Sequence, residues 1–262
     1  MGYSVKELFY TLQGEGAQSG RAAVFLRFAG CNLWTGRESD RARAICQFCD
    51  TDFVGTDGPG GGRFADAQVL ADAVAATWQR GAGAGAGARL VVCTGGEPLL
   101  QLDQPLLHTL HVAGFSVAIE TNGTQPLPPG DERVDWVCVS PKAGSELVLQ
   151  TGDELKLIYP QPGAEPDRYS DLPFRHHFLQ PMDGPQRGEN TARAVEYCLT
   201  HPRWRLSLQT HKLLGTLSLP AAPAPPRRAR PGPRRALAAQ RRWRLPQNAL
   251  CRRLVAVQTA IH

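Results

Sequence analysis

Through the first 214 positions, apolar residues fall into short runs cut by glycine, proline and polar clusters. The runs AAVFLRF (22–28, continuing to Ala29), RLVVC (89–93), FSVAIE (115–120), VDWVCV (134–139), ELKLIY (154–159), HFLQ (177–180) and WRLSLQ (204–209) are short, rich in β-branched and aromatic residues, and read as seven strands. Residues 64–80, FADAQVLADAVAATWQR, carry apolar side chains at helical spacing, with Asp66 placed to cap. Residues 102–113 predict a second helix, and residues 190–201 a third with Asn190 as its N-cap. GAGAGAGA (81–88) reads as a flexible loop. The links 121–133 and 140–153 are too short, or too rich in glycine and proline, for a good helix. Strands alternating with helices predict an α/β fold on a mainly parallel sheet. The shortage of helices argues against a complete eightfold barrel and for an open or partial one.

The pattern stops near Gly215. Residues 215–262 mix Pro, Ala and Arg without periodicity; they hold seven of the 21 prolines and ten arginines, with no Lys, Asp or Glu. This divides the chain into a core domain, 1–214, and a basic tail, 215–262, whose composition predicts disorder apart from a short helix at 247–261. The formal net charge of +5 therefore misleads: the tail carries +10 and the body −5. An acidic body gives no sign of a nucleic-acid surface. No apolar run reaches about 18 residues and the N-terminus has no signal-peptide pattern, so the expected location is the cytoplasm.

Seven cysteines in so large a chain do not form a disulfide framework. Three of them, Cys31, Cys46 and Cys49, make a C-x14-C-x2-C pattern. Structural zinc takes four Cys or His ligands, so it would need a distant fourth such as Cys93 or His108. Three thiolates suit a 4Fe–4S cluster with one iron left open. Spacing alone leaves both readings standing, with a redox CxxC as a weaker third. Downstream, CTGGEP (93–98) follows a buried strand, where paired glycines let the backbone approach a ligand and Glu97 can hold an ammonium. A plain strand-to-helix turn reads the same way.

Taken in order, FYTLQGEG (9–16), LRFAGCNLW (26–34), CQFCDTDF (46–53), CTGGEP (93–98), ETNG (120–123), VSPK (139–142), LQPMDGP (179–185) and LSLQTHK (206–212) resemble the radical S-adenosylmethionine superfamily, and within it the 7-carboxy-7-deazaguanine synthases of the queuosine pathway. The lengthened cysteine spacing is similar to one branch of that family. The resemblance covers residues 3–214 and implies a partial TIM-like barrel. It implies that Cys31, Cys46 and Cys49 ligate three irons of a 4Fe–4S cluster whose fourth iron takes S-adenosylmethionine. Gly96 and Glu97 are then expected at the methionyl ammonium. Phe48, Cys49, Asp50, Ser140, Pro141, Lys142, Gln180, Pro181, Met182 and Asp183 are expected around the rest of the cofactor.

The implied substrate is 6-carboxy-5,6,7,8-tetrahydropterin, gripped by Leu12, Gln13, Gly14, Glu15, Arg27, Thr94 and His211, with Thr51 on a Mg²⁺ ion. An amide and a carboxylate can read a guanine-like edge, and Arg27 can pair with a carboxylate if it is not held in a structural ion pair. The implied reaction is a radical ring contraction that releases ammonia and leaves 7-carboxy-7-deazaguanine. A homodimer and an electron donor such as flavodoxin are the implied partners. Members of this branch end soon after QTHK, whereas this chain runs on to residue 262 in a composition that resembles out-of-frame translation of a GC-rich gene. Two rivals remain: an activating enzyme of glycyl-radical type, and a zinc-binding scaffold with a basic tail.

Overall fold

The computed structural model describes residues 2–83 and 87–214; the tail 215–262, its expected helix at 247–261 and the centre of the GAGAGAGA segment lie outside the described residues. One nine-stranded sheet organises the described chain. Its strands are β1 (Tyr3–Leu12), β2 (Ala22–Phe28), β3 (Gly62–Phe64), β4 (Arg89–Gly95), β5 (Phe115–Thr121), β6 (Trp136–Val139), β7 (Gly152–Tyr159), β8 (Phe174–Pro181) and β9 (Trp204–Leu206). They stand in the order β3-β1-β2-β4-β5-β6-β7-β8-β9. From β2 to β9 every pairing is parallel, while β1 lies antiparallel to both β2 and β3. Helices α1 (Ala67–Ala82), α2 (Gln104–Val112) and α3 (Arg187–Thr200) cover one face, and a short α4 (Thr210–Leu214) follows β9. This is the expected α/β architecture with few helices.

Period-2 alternation sorts the side chains. Val24, Leu26, Phe28, Val91, Cys93, Val117, Ile119, Leu155, Leu157 and Leu179 join the core under the helices. Their neighbours Ala23, Phe25, Leu90, Val92 and Ala118 make a smaller apolar floor on the opposite face. On α1 the stripe Ala67, Leu70, Ala71, Val74 and Trp78 is buried, and Asp66 caps by accepting from Val69 N at 2.9 Å, as predicted. Asp103 does the same for α2 through Leu106 N.

The sheet is strongly curled. Thr210 N donates to Gly14 O at 3.0 Å, and Gly16 N to Ser207 Oγ at 2.9 Å. These groups belong to opposite sides of the sheet. Seven strand steps separate β1 from β9, which would be roughly 34 Å in a flat sheet. Contact across that gap requires a partial barrel, whose parallel strands end on the side where the loops converge.

Four elements differ from expectation. Strands β1 and β3 were not anticipated. The register of β1 slips between Val5 and Glu7, so Val5 and Leu8 both reach the helix-side core and the alternation that marks a strand is broken. Helix α3 begins at Arg187 rather than 190; Asn190 lies inside it and donates from Nδ2 to Met182 O at 3.0 Å instead of capping. The last strand ends at Leu206, because Ser207 and Gln209 turn away toward the site.

Leu110 is fully buried between α2 and the sheet. Leu110→Ala is expected to destabilise the fold by about 2–5 kcal/mol, read as a lower urea midpoint with an unchanged m-value.

Candidate functional site

A cavity of about 590 Å³ opens where the strands end. Several strands point polar side chains into it near their C-terminal ends: Arg27 from β2, Thr94 from β4, Glu120 from β5, Lys156 from β7 and Gln180 from β8. Each occupies an inward-facing position of its strand. Loops supply the remainder of the wall.

Among the residues singled out in the sequence, Leu12, Gln13, Gly14, Glu15, Arg27, Cys31, Cys46, Phe48, Cys49, Asp50, Thr51, Thr94, Gly96, Ser140, Lys142, Gln180, Pro181, Met182, Asp183 and His211 all line this cavity. Two do not. Glu97 is fully buried behind the wall, where its carboxylate accepts from Thr121 Oγ1 (2.8 Å), Asn122 N (2.8 Å) and Leu99 N (3.0 Å). Burial pushes its carboxyl pKa up. Glu97 thus joins the TGGEP loop to the ETNG loop. Pro141 turns away too, its carbonyl accepting from Gln161 Nε2.

The glycines of TGGEP have a steric cause. A Cβ on Gly96 would stand 1.9 Å from Gly30 O and 2.9 Å from the Cβ of Cys31. Backbone therefore lies on backbone, and Glu97 N donates to Gly30 O at 3.0 Å. Asn122 Nδ2 reaches Asn32 Oδ1 at 3.0 Å, so three loops distant in sequence form one unit beside Cys31.

The three cysteines are free thiols on one wall. The thiol of Cys46 donates to the sulfur of Cys49, which pulls the Cys49 pKa down and pushes that of Cys46 up. Lys142 lies close enough to favour both thiolates, while its own pKa is lowered by burial; its Nζ donates to Ser140 O (2.6 Å) and Ser140 Oγ (2.7 Å). Among the described residues, no three His, Cys, Asp or Glu side chains come together as a site for a single metal ion. The two candidate fourth ligands for zinc are also misplaced. Cys93 is buried on the helix side of β4, and His108 sits on α2 bonded to Glu132. Three thiols without a fourth fit a cluster with one open iron and do not complete a zinc site.

The same cavity is also lined by a buried charge network. Lys156 Nζ donates to a Glu15 carboxylate oxygen and, at 3.2 Å, to Glu120 Oε1. Glu120 also accepts from Gln13 Nε2 (3.1 Å) and Thr94 Oγ1 (3.2 Å), and Glu15 accepts from Gln209 Nε2 (3.1 Å). Burial favours the neutral form of both Lys156 and Glu15. The opposite charges outweigh it, holding Lys156 well above and Glu15 below the ordinary values. His211 packs against Gly14, where an added Cβ would meet Nδ1 at 2.5 Å; burial lowers its pKa and keeps the ring neutral. Arg27 donates from Nε to Glu7 Oε1 at 2.6 Å, the structural pairing weighed above, and still lines the cavity. Lys212 joins Asp50 and Asp183, each at 2.6 Å.

The free thiols and this network line one cavity, on loops that carry the sequence motifs. No protein-family model matches the chain. It is 66% identical over 215 residues to the 7-carboxy-7-deazaguanine synthase of Bordetella pertussis, a match spanning 82% of this chain and 99% of that protein. The chain belongs to the 7-carboxy-7-deazaguanine synthase family. The synthase of Caulobacter vibrioides is 61% identical over the same shares, and that of Neisseria meningitidis 33% identical over 81% of this chain and 93% of its own length. The crystal structure of QueE from Escherichia coli superposes with a TM-score of 0.58 at 29% identity, covering 79% of this chain and 94% of that one.

Glu120, Gln209 and Lys212 fall inside the ETNG and LSLQTHK motifs but were given no role from sequence, and Lys156 lies outside every motif; all four line the cavity. The signal for Lys156 was present: a lysine in the inward phase of ELKLIY has no apolar reason to be there.

Lys156→Met removes the cation between buried carboxylates and is expected to cost about 3–5 kcal/mol at pH 7. In the parent chain the lowered Glu15 pKa gives stability above the unfolded value, lost as pH falls through the folded one. In the variant, Glu15 is buried without its cation and takes up a proton readily, so the deficit should shrink from pH 7 to pH 5. Urea titrations at both values check this, and a deficit independent of pH would reduce Lys156 to a packing role.

Proposed function

We propose that this chain is a radical S-adenosylmethionine lyase that converts 6-carboxy-5,6,7,8-tetrahydropterin to 7-carboxy-7-deazaguanine with loss of ammonia, supplying queuosine synthesis. The observation that carries the reading is one cavity lined by three free thiols and by paired carboxylates with a buried lysine. The membership in the synthase family supplies the substrate and product. No helix among the described residues is long and apolar enough to cross a membrane; we place the enzyme in the cytoplasm as a homodimer served by an external one-electron donor such as flavodoxin, without nucleic acid.

In this reading Cys31, Cys46 and Cys49 hold three irons of a 4Fe–4S cluster. Bound together, the cluster and S-adenosylmethionine supply reversible hydrogen-atom abstraction. The chain's own residues decide what is presented to that chemistry. Gly96, Phe48 to Asp50, Ser140, Lys142 and Gln180 to Asp183 hold the cofactor, with Pro141 and Glu97 acting from behind the wall through the backbone they fix. Thr51 lines the cavity and would offer a hydroxyl oxygen to a Mg²⁺ ion.

The substrate end is pre-set. Glu15 stays ionised beside Lys156 and accepts N–H groups from a guanine-like edge, while Gln13 and Thr94 are held in place by Glu120. Neutral His211 can donate or accept without a proton change near pH 7. Arg27 keeps its Nη groups for the substrate carboxylate after its Nε is taken by Glu7. Phe9 and Phe25 stack at 5.6 Å on the apolar floor and limit water. Orientation of this kind is where a radical enzyme gains selectivity, since a misplaced C–H bond is not abstracted.

The test is anaerobic reconstitution of the full chain with iron and sulfide, followed by incubation with 6-carboxytetrahydropterin, S-adenosylmethionine, Mg²⁺ and a strong reductant. A brown protein that forms 7-carboxy-7-deazaguanine by mass spectrometry is expected, with both colour and product lost in Cys31→Ala. A colourless protein holding one zinc and forming no product would overturn the reading.

A further inference from the structure

The 14 residues between Cys31 and Cys46 carry a device of their own. They form a short 3-10 helix, Glu38–Arg43. From it Arg41 reaches back to the cysteine turn: Nη1 donates to Gln47 O at 2.8 Å and to Cys49 O at 3.1 Å. Its Nε meets both carboxylate oxygens of Glu38 at 2.8 Å, and its Cζ lies 4.1 Å from the centroid of the Trp34 ring. Trp34 is itself buried edge-on against Phe53 at 5.7 Å and donates from Nε1 to Arg37 O.

We infer that Arg41 is a positioning residue that pre-forms the Cys46–Cys49 turn for its cluster. The inference rests on the reading of those cysteines as iron ligands. A long insertion adds closure entropy and would leave the second and third ligands loosely placed relative to the first. Arg41 removes that freedom by clamping two carbonyls of the turn onto a tryptophan that directly follows the Cys31 loop. The ion pair with Glu38 contributes little, because Glu38 is largely exposed. The weight falls on two charge-assisted hydrogen bonds to backbone oxygens and on the cation–π contact. Glu38 balances the charge, so the effect on the cluster is geometric rather than electrostatic. Only a planar fork can serve two carbonyls, a carboxylate and an indole face at once; a lysine ammonium cannot.

The experiment compares the full-length parent, Arg41→Lys and Arg41→Gln, each prepared without oxygen. In the cluster-free proteins, hydrogen exchange of amides 45–51 is expected to quicken roughly tenfold in both variants, with amides 89–95 unchanged. In the loaded proteins, iron release to a ferrous chelator is expected to quicken by a similar factor, and the spectrum of the reduced cluster to broaden. Unchanged exchange in Arg41→Gln, or full retention of parent behaviour in Arg41→Lys, would overturn the inference. Arg41 is partly exposed at the surface, so both variants should fold, and the unchanged 89–95 amides verify it. If the parent itself takes up no iron, the cluster reading falls, and the exchange rates still decide whether Arg41 holds the turn.

Discussion

The structure depends on the closure of a curled sheet by a loop that bridges its two sides. Gly14 O accepts from both the backbone N and the hydroxyl of Thr210, Gly16 N donates to Ser207, and Ala17 N donates to Glu154. At the centre of that seam lies the Glu15–Lys156–Glu120 network. A partial barrel has no ladder of hydrogen bonds to seal its opening, so side chains and turns must do it. In the proposed function the seal and the substrate wall are the same residues. That coupling explains why charge is tolerated in so buried a place: an apolar seal would hold the sheet but could not read a polar heterocycle.

Steric constraint does for the thiol wall what charge does for the other. Gly96 fits against Gly30 only without a Cβ, and Glu97 then fastens the loop to Thr121 and Asn122. The glutamate that looked from sequence like a direct ligand is a brace one layer deeper. Its carboxylate has three donors already, so its contribution passes through the position of Gly96. A buried carboxyl satisfied in this way is rigid, and rigidity beside Cys31 is what the proposed cluster would need.

The parallel strands and three main helices were legible because their alternation and 3.6 spacing are uninterrupted, and the motifs named most of the cavity wall. What stayed hidden has identifiable causes. Strand β1 was obscured by its bulge at Val5–Glu7, which swaps the phase of its side chains. Asn190 looked like a cap because its type is right, but a carbonyl of the preceding loop, Met182 O, claims its amide. Lys156 was passed over because it sits in a strand whose pattern is dominated by its buried face, and Glu120, though part of ETNG, was read only as the end of an apolar strand. Arg41 was invisible for a different reason. It acts on backbone oxygens, which leave no trace in the sequence of the residues that carry them.

The short helix α4 ties these layers together. His211 leans on the substrate loop at Gly14, while Lys212, the next residue, binds Asp50 of the cysteine turn and Asp183 beyond β8. Adjacent residues of one small element thus touch both ends of the cavity. The enzyme has to admit a polar substrate and then keep a radical from water, and an element that grips both walls suits that sequence of events better than two separate loops.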